Sequence, residues 1–394
     1  MIAFRSAASA SGRAAAVLAT LLLAACGSAG RPAAGPASPA TVPTASLATS
    51  LSSATGTWVT VPMGETNDPL NTYWELLYLG AGAANWIVRT PADVADNGGL
   101  VMGETNDGLD VAFRPSNQLR FTPLAVTTDG GATYAPGLVP VPLADVPDSL
   151  SVNAVGQASV LTNSGVLTSA TGLSGWQPSL TLANLTDSPA GRTCRPQQLT
   201  AVAETGLARY VAASCASPGV VGILSVSGSG AELAGPLLSG ADAAAHVSVL
   251  RLVAYKQGLA ALLALTDHAL TSYLALWNPT IGNPGRGASS GWMISPALSL
   301  PGTLKSAAVT SQTGFALLSA DTHGARNAAL IAPGDIHWTA LPQPPADATT
   351  LAVSDARTDA IAAGTTDFTA YTLAEGQWRR TQTTHVDIPF GSSN

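Results

Sequence analysis

Two octads of nearly identical sequence, MGETNDPL (Met63–Leu70) and MGETNDGL (Met102–Leu109), carry the carboxylates with the clearest spacing in the chain: Glu65 with Asp68, and Glu104 with Asp107. Carboxylates paired this way on polar loops can ligate a hard cation or meet a basic partner. Two equivalent loops, one structural repeat apart, would face a common rim as a candidate binding surface. The octads also read as two equivalent turns in which Gly and Asn-Asp supply the geometry. They lack the spacing of a calcium-binding loop and no His/Cys cluster joins them, so neither a metal nor a cofactor is expected. The histidines, His246, His268, His323, His337 and His385, are scattered without ligand spacing. Gly172-Leu173-Ser174-Gly175 lacks the full spacing of a nucleophile elbow and does not sit between a strand and a helix. Cys194 and Cys215 are an even pair once Cys26 is set aside, and a disulfide between them is expected. They flank a hairpin, Leu199–Ala203 and Arg209–Ser214, with its turn around Glu204–Gly206.

Cys26 belongs to a different chemistry. Arg5 and Arg13 precede an apolar run over Ala14–Ala25, the layout of a secretory signal. The run ends in Leu23-Ala24-Ala25-Cys26, which resembles the bacterial lipobox; the small residues fit a peptidase and the thiol takes the lipid. Residues 1–25 are therefore expected as a lipoprotein signal peptide. Residues 26–56 then form a lipidated cysteine and a Pro/Ala/Ser/Thr-rich linker, with Arg31 the only charge in Gly30–Ser53. Residues 57–394 form the folded domain. The expected address is the extracytoplasmic face of a bacterial cell membrane, held by acyl chains on Cys26. A net charge of −7, more negative once Arg5 and Arg13 are removed, excludes nucleic acid and a basic patch for anionic lipid. No second apolar stretch is long enough to span a bilayer.

The elements that position these residues follow from a repeat with a period of roughly 40 to 60 residues. An aromatic follows a Gly- or Asn-containing turn and opens a short strand; a Pro-bearing link and an apolar strand come next. The anchors are Trp86, Tyr134, Trp176, Trp292, Trp338 and Trp378, with a degenerate copy at Ala231-Glu232. Between them lie short alternating segments such as Ala158–Thr162, Gly165–Ser169 and Gly314–Ser319. His246–Tyr255 and Leu259–Leu265 read as a hairpin around Lys256-Gln257-Gly258, and no segment has convincing helical caps. The pattern predicts an all-β fold, a single β-propeller of seven four-stranded blades, with six or eight left open. The strand Thr57–Val61 is expected to pair with the last blade near Trp378, closing the ring.

TTDGGATY, Thr127–Tyr134, is the most specific stretch. Thr127, Asp129, Gly131, Thr133 and Tyr134 each occupy a fixed position of the Asp-box, and the chain resembles the Asp-box (BNR-repeat) β-propellers of the sialidase-like and sortilin-like superfamily. Asp129 can accept backbone N–H bonds within the turn, the glycines allow positive φ, and Tyr134 can pack against the next blade. The resemblance raises sialidase chemistry, which implies three arginines clamping a carboxylate, a Tyr–Glu nucleophile pair and an Asp acid. Phe113-Arg114-Pro115 lacks one residue of the family's Phe/Tyr-Arg-x-Pro motif. Arg209-Tyr210 with Glu204 offers a clamp and a nucleophile pair, but on the expected disulfide hairpin.

The reading is a non-catalytic, membrane-anchored propeller that binds an envelope protein or glycan, with no catalytic residue assigned. The alternatives are a sialidase-like exo-glycoside hydrolase and an assembly factor for an envelope complex. Candidate binding loops are the two octads and the Gly/Pro-rich link 278–290.

Overall fold

The computed structural model describes residues 47–387 except 54, 67–70, 92–98, 105–108, 114–118, 171–172, 207, 228–229, 268–269 and 282–290; of residues 104, 109–110 and 112–113 only the backbone is described. Asp68, Asp107, Arg114, Pro115, His268, the signal segment, Cys26 and most of the 278–290 link therefore lie outside the described residues.

The described strands form seven four-stranded antiparallel meanders, spanning residues 49–88, 100–139, 150–181, 196–233, 246–294, 303–340 and 350–385. These are the blades of a β-propeller, numbered here from the N-terminus. The innermost strands are Thr49–Ser52, Leu100–Glu104, Leu150–Val152, Pro196–Thr205, His246–Tyr255, Thr303–Val309 and Thr350–Val353. Their side chains alternate between the faces of neighbouring blades, as a pleated strand requires. Val247 and Val249, for example, pack with Ala201, Ala203 and Tyr210 of blade 4.

Each aromatic anchor opens or begins the outermost strand of its blade, and each ties that blade to the one before it. The indole N–H of Trp176 donates to the Leu138 carbonyl at 2.8 Å, Trp292 to Ala234 at 2.8 Å, Trp338 to Pro296 at 3.0 Å and Trp378 to Pro342 at 2.9 Å. The Tyr134 hydroxyl donates to the Arg89 carbonyl at 2.5 Å. Blade 4 has Ala231-Glu232 at this position and no such donor. There the link from blade 3 forms two short helices, Leu182–Asp187 and Pro189–Cys194, whose Leu185, Ala190 and Cys194 pack against Ala231. Ser188 closes the first helix and caps the second, accepting from Gly191 N at 2.9 Å, with Pro189 at the first helical position. The sequence reading missed these helices because each is too short to show a helical period. The Cys194–Cys215 disulfide forms as expected and fastens the second helix to the second strand of blade 4.

Two expectations about the ring are corrected. Residues 49–52, expected within the linker, form the innermost strand of blade 1. The expected strand Thr57–Val61 lies within Gly56–Gly64, which pairs with Thr49–Ser52 and Thr72–Gly80 and not with the last blade. The Ser/Thr content that reads as tether is used for pairing: Thr49 Oγ1 lies 3.1 Å from Thr60 Oγ1, and Ser52 Oγ 3.0 Å from Thr57 Oγ1. Blade 1 thus completes itself, and the ring closes by face packing. Val59, Val61, Met63, Leu77 and Trp86 meet Ala352, Ile361 and Phe368 of blade 7. The Trp86 indole donates to Asp359 Oδ2 at 3.0 Å, a carboxylate also held by Arg357 at 2.8 Å, and Gln382 bonds both N–H and C=O of Trp86.

Candidate functional site: the central depression

The innermost strands converge on a buried ion pair. Asp148, just before the first strand of blade 3, accepts from Arg251 Nε and Nη2 at 3.0 Å and from the Leu252 N–H at 2.7 Å. Arg251 Nη1 donates to the Ala307 carbonyl of blade 6, and the Asp148 carbonyl accepts from Val202 N of blade 4 at 2.8 Å. Blades 3, 4, 5 and 6 are therefore tied together at the axis. A register irregularity between Val249 and Arg251 interrupts the pairing of this strand just before the guanidinium. Losing one partner of such a pair would leave an uncompensated buried charge, which costs about 3–5 kcal/mol.

Beside this pair lies a depression of about 440 Å³. Its lining comes from the far ends of the innermost strands and the turns that follow them. Leu51 and Ser52 contribute from blade 1, Met102 and Gly103 from blade 2, Leu150–Asn153 from blade 3, Glu204 and Thr205 from blade 4, Lys256 from blade 5 and Thr310 from blade 6. The start of the blade 1 strand, where the chain joins the ring at Ala48 beside Ser306, lies at the opposite end.

Glu204, expected in a turn, is the penultimate residue of its strand, with its side chain 3% exposed. Arg209 Nε donates to its Oε1 at 2.7 Å and to Ser159 Oγ at 2.8 Å, and the Ser159 hydroxyl donates to the same carboxylate. Tyr210 pairs with Ala203, one residue before Glu204, so it projects from the other face into the blade 4–5 core. Burial pushes its phenol pKa up, against the opposing effect of the Ser225 hydrogen bond. Glu204 and Tyr210 are therefore not brought together as a nucleophile pair. Arg251 is the only arginine among the described lining residues.

The strands that flank the two octads do not end on a common rim. Gly64 ends the second strand of blade 1 and Thr72 begins its third; Glu104 ends the first strand of blade 2 and Leu109 begins its second. Successive turns of a meander alternate ends, so these strand ends lie on opposite faces of the ring. Gly64 N donates to Gly364 O at 3.1 Å, beside the corresponding turn of blade 7, whereas Gly103 lines the depression. Glu65 is exposed, and its Oε2 accepts from Asn71 Nδ2 at 3.4 Å. Sequence identity did not predict equivalence here, because the two octads follow different strands of their blades.

The octapeptide Thr127–Tyr134 joins the third and fourth strands of blade 2. Asp129 Oδ1 accepts from Thr133 N at 3.0 Å, Oδ2 accepts from the Thr133 hydroxyl at 2.7 Å, and Thr127 Oγ1 accepts from Gly131 N at 2.9 Å. The Thr133 hydroxyl, then the Thr133 N–H, then the Thr127 hydroxyl, which donates to Oδ1 at 2.8 Å, lower the Asp129 pKa to about 2. Gly131 has φ 77°, and a Cβ there would meet the Tyr134 hydroxyl at 2.8 Å. Burial pushes the Tyr134 phenol up.

Sequence reasoning missed Asp148, Arg251, Ser159 and Lys256. The available signal was Arg251 itself, a charge inside the apolar run HVSVLRLVAY. Among the described residues, no three of His, Cys, Asp and Glu are grouped to hold a metal, and no helix is long and apolar enough to cross a membrane.

No protein-family model and no curated protein matches the sequence. Solved structures do. A GH74 xyloglucanase from Xanthomonas campestris is 14% identical with a TM-score of 0.54, over 85% of this chain and 54% of that one. The chain thus spans about half the length of that enzyme. A six-bladed, fucose-recognising lectin from Aleuria aurantia is 11% identical, covering 87% of this chain and 96% of the lectin at a TM-score of 0.40. AofleA from Arthrobotrys oligospora is 9% identical, covering 87% of each chain at 0.41. At such identity the first likeness speaks for the fold alone, and together with the seven meanders it makes this chain a β-propeller.

Proposed function

We propose that this chain is a lipid-anchored, extracytoplasmic propeller that binds a protein or glycan in its central depression without cleaving it. One observation carries the binding reading. The described lining comes from six blades, and the two carboxylates among those described residues are each locked into an ion pair, Asp148 with Arg251 and Glu204 with Arg209. Glycosidic cleavage by a carboxylate pair needs one group free to donate a proton and another free to attack or activate water. A polar cavity whose described carboxylates are both engaged in this way is suited to holding a ligand. The geometry of Thr127–Tyr134 supports kinship with Asp-box propellers, whose activities are diverse, so the fold does not choose among them.

The anchor rests on Leu23–Cys26 and the segment that follows. Cys26→Ala should abolish incorporation of an alkynyl fatty acid and release the protein from membranes; a variant that stays acylated and sedimentable would refute the anchor. For the site, full-length protein in detergent is screened on glycan and protein arrays and with a chromogenic glycosidase panel. Binding without product release is expected. Release of sugar would favour the hydrolase instead, and recovery of one stable envelope complex without ligand binding would favour an assembly factor.

A further inference from the structure

We propose that the central depression captures the carboxyl-terminal end of an extended peptide, with Lys256 receiving the terminal carboxylate. The inference rests on the binding function proposed above and narrows its ligand.

The charge pattern is the first support. Arg251 and Arg209 are neutralised by Asp148 and Glu204. Lys256, one of two lysines in the chain, forms no ion pair with any described residue. Lys256 lines the depression, and its Nζ lies 5.1 Å from the centroid of the Tyr255 ring. Among the described lining residues Lys256 is the one cation without an ion pair, and in a chain of net charge −7 such a residue is a place where an anion gains and a neutral group does not.

Backbone strain is the second. Lys256 has φ 55° and Thr313 φ 58°, both in turns that border the depression. The left-handed region is costly for side chains of this kind, most of all for a β-branched threonine, and such strain gathers at sites that hold ligands.

The lining chooses the ligand class. Among its described residues there is no aromatic platform on which a sugar ring could stack; branched apolar side chains (Leu51, Leu150, Val152) alternate with hydroxyl and amide groups (Ser151, Asn153, Thr310). That mixture suits the side chains and amides of a peptide, and a volume of about 440 Å³ restricts it to a few terminal residues.

The test uses full-length protein in detergent, immobilised, with a random tetrapeptide library bearing free carboxyl ends and the same library amidated. Peptides retained are counted by mass spectrometry. The acid library should be enriched over the amide library by about tenfold, the worth of one charge-assisted contact. Lys256→Gln should abolish that preference and Lys305→Gln should keep it. Equal retention of acids and amides, retention of neither, or a preference that survives Lys256→Gln would overturn the proposal. Ala254→Trp, at an exposed position on the rim, separates the two levels of the reading. An oligosaccharide displaced by Ala254→Trp but indifferent to Lys256→Gln would overturn the peptide site and leave the binding function standing. Cleavage of any bound glycan would overturn the binding function itself.

Discussion

Glu204 and Asp129 show two opposite fates of a carboxylate in this molecule. Glu204 lines a cavity and is silenced by Arg209 and Ser159. Asp129 is solvent-facing, yet the Thr133 and Thr127 hydrogen bonds hold its pKa near 2 against an ordinary 3.8. Because the folded value is the lower one, the stability contributed by Asp129 is fully present above pH 3.8 and is lost as the pH falls through about 2. A carbon-13 NMR titration of the Asp129 carboxyl should therefore give a midpoint near 2, and Asp129→Asn should leave the melting temperature less sensitive to acid below pH 4. A midpoint at the ordinary value would mean that the turn's hydrogen bonds do not persist in solution. Thr127, Asp129, Gly131 and Thr133 were legible because each acts within its own turn. Asp148 and Arg251 were not, since their meaning comes from a partner about a hundred residues away.

At the level of elements, blade 4 is the informative case. The other blades are stapled to their predecessors by an aromatic on the outermost strand, and blade 4 has lost it. The helical pair 182–194 and the Cys194–Cys215 bond occupy that junction instead. A disulfide closing a loop with a sequence separation of 21 stabilises by about 3 kcal/mol in the chain-entropy picture. Cys194→Ala with Cys215→Ala should lower stability by about that amount in a denaturant melt, and proteolysis under native conditions should cut first within 182–194. An unchanged melt would show that the helices hold blade 4 by packing alone. The degenerate repeat at Ala231-Glu232 was readable as a missing aromatic. What replaced it was not, because one-turn helices carry no period and disclose themselves only through Ser188-Pro189 capping.

For the whole molecule, the repeats yielded a propeller of seven four-stranded blades, with six or eight left open, and an even pair of cysteines yielded the disulfide. The sequence reading misplaced the first strand and the closure, which depend on how the two ends of the ring meet. A chain beginning at Thr44 should melt cooperatively. One beginning at Gly56 should not, since it strips Gly56–Gly64 of its inner partner and Val309 of its bridge to Leu51. Circular dichroism of the two would decide, and a cooperative melt of the shorter chain would make Thr49–Ser52 dispensable.

That first strand has a mechanical consequence. Thr49–Ser52 lies at the hub, between the second strand of blade 1 and the first strand of blade 6. Tension applied along Thr49–Ser52 would load its ladder in shear, with several hydrogen bonds straining together. Tension on an outermost strand would unzip them one at a time. A ring pulled by its hub would be tugged without being peeled.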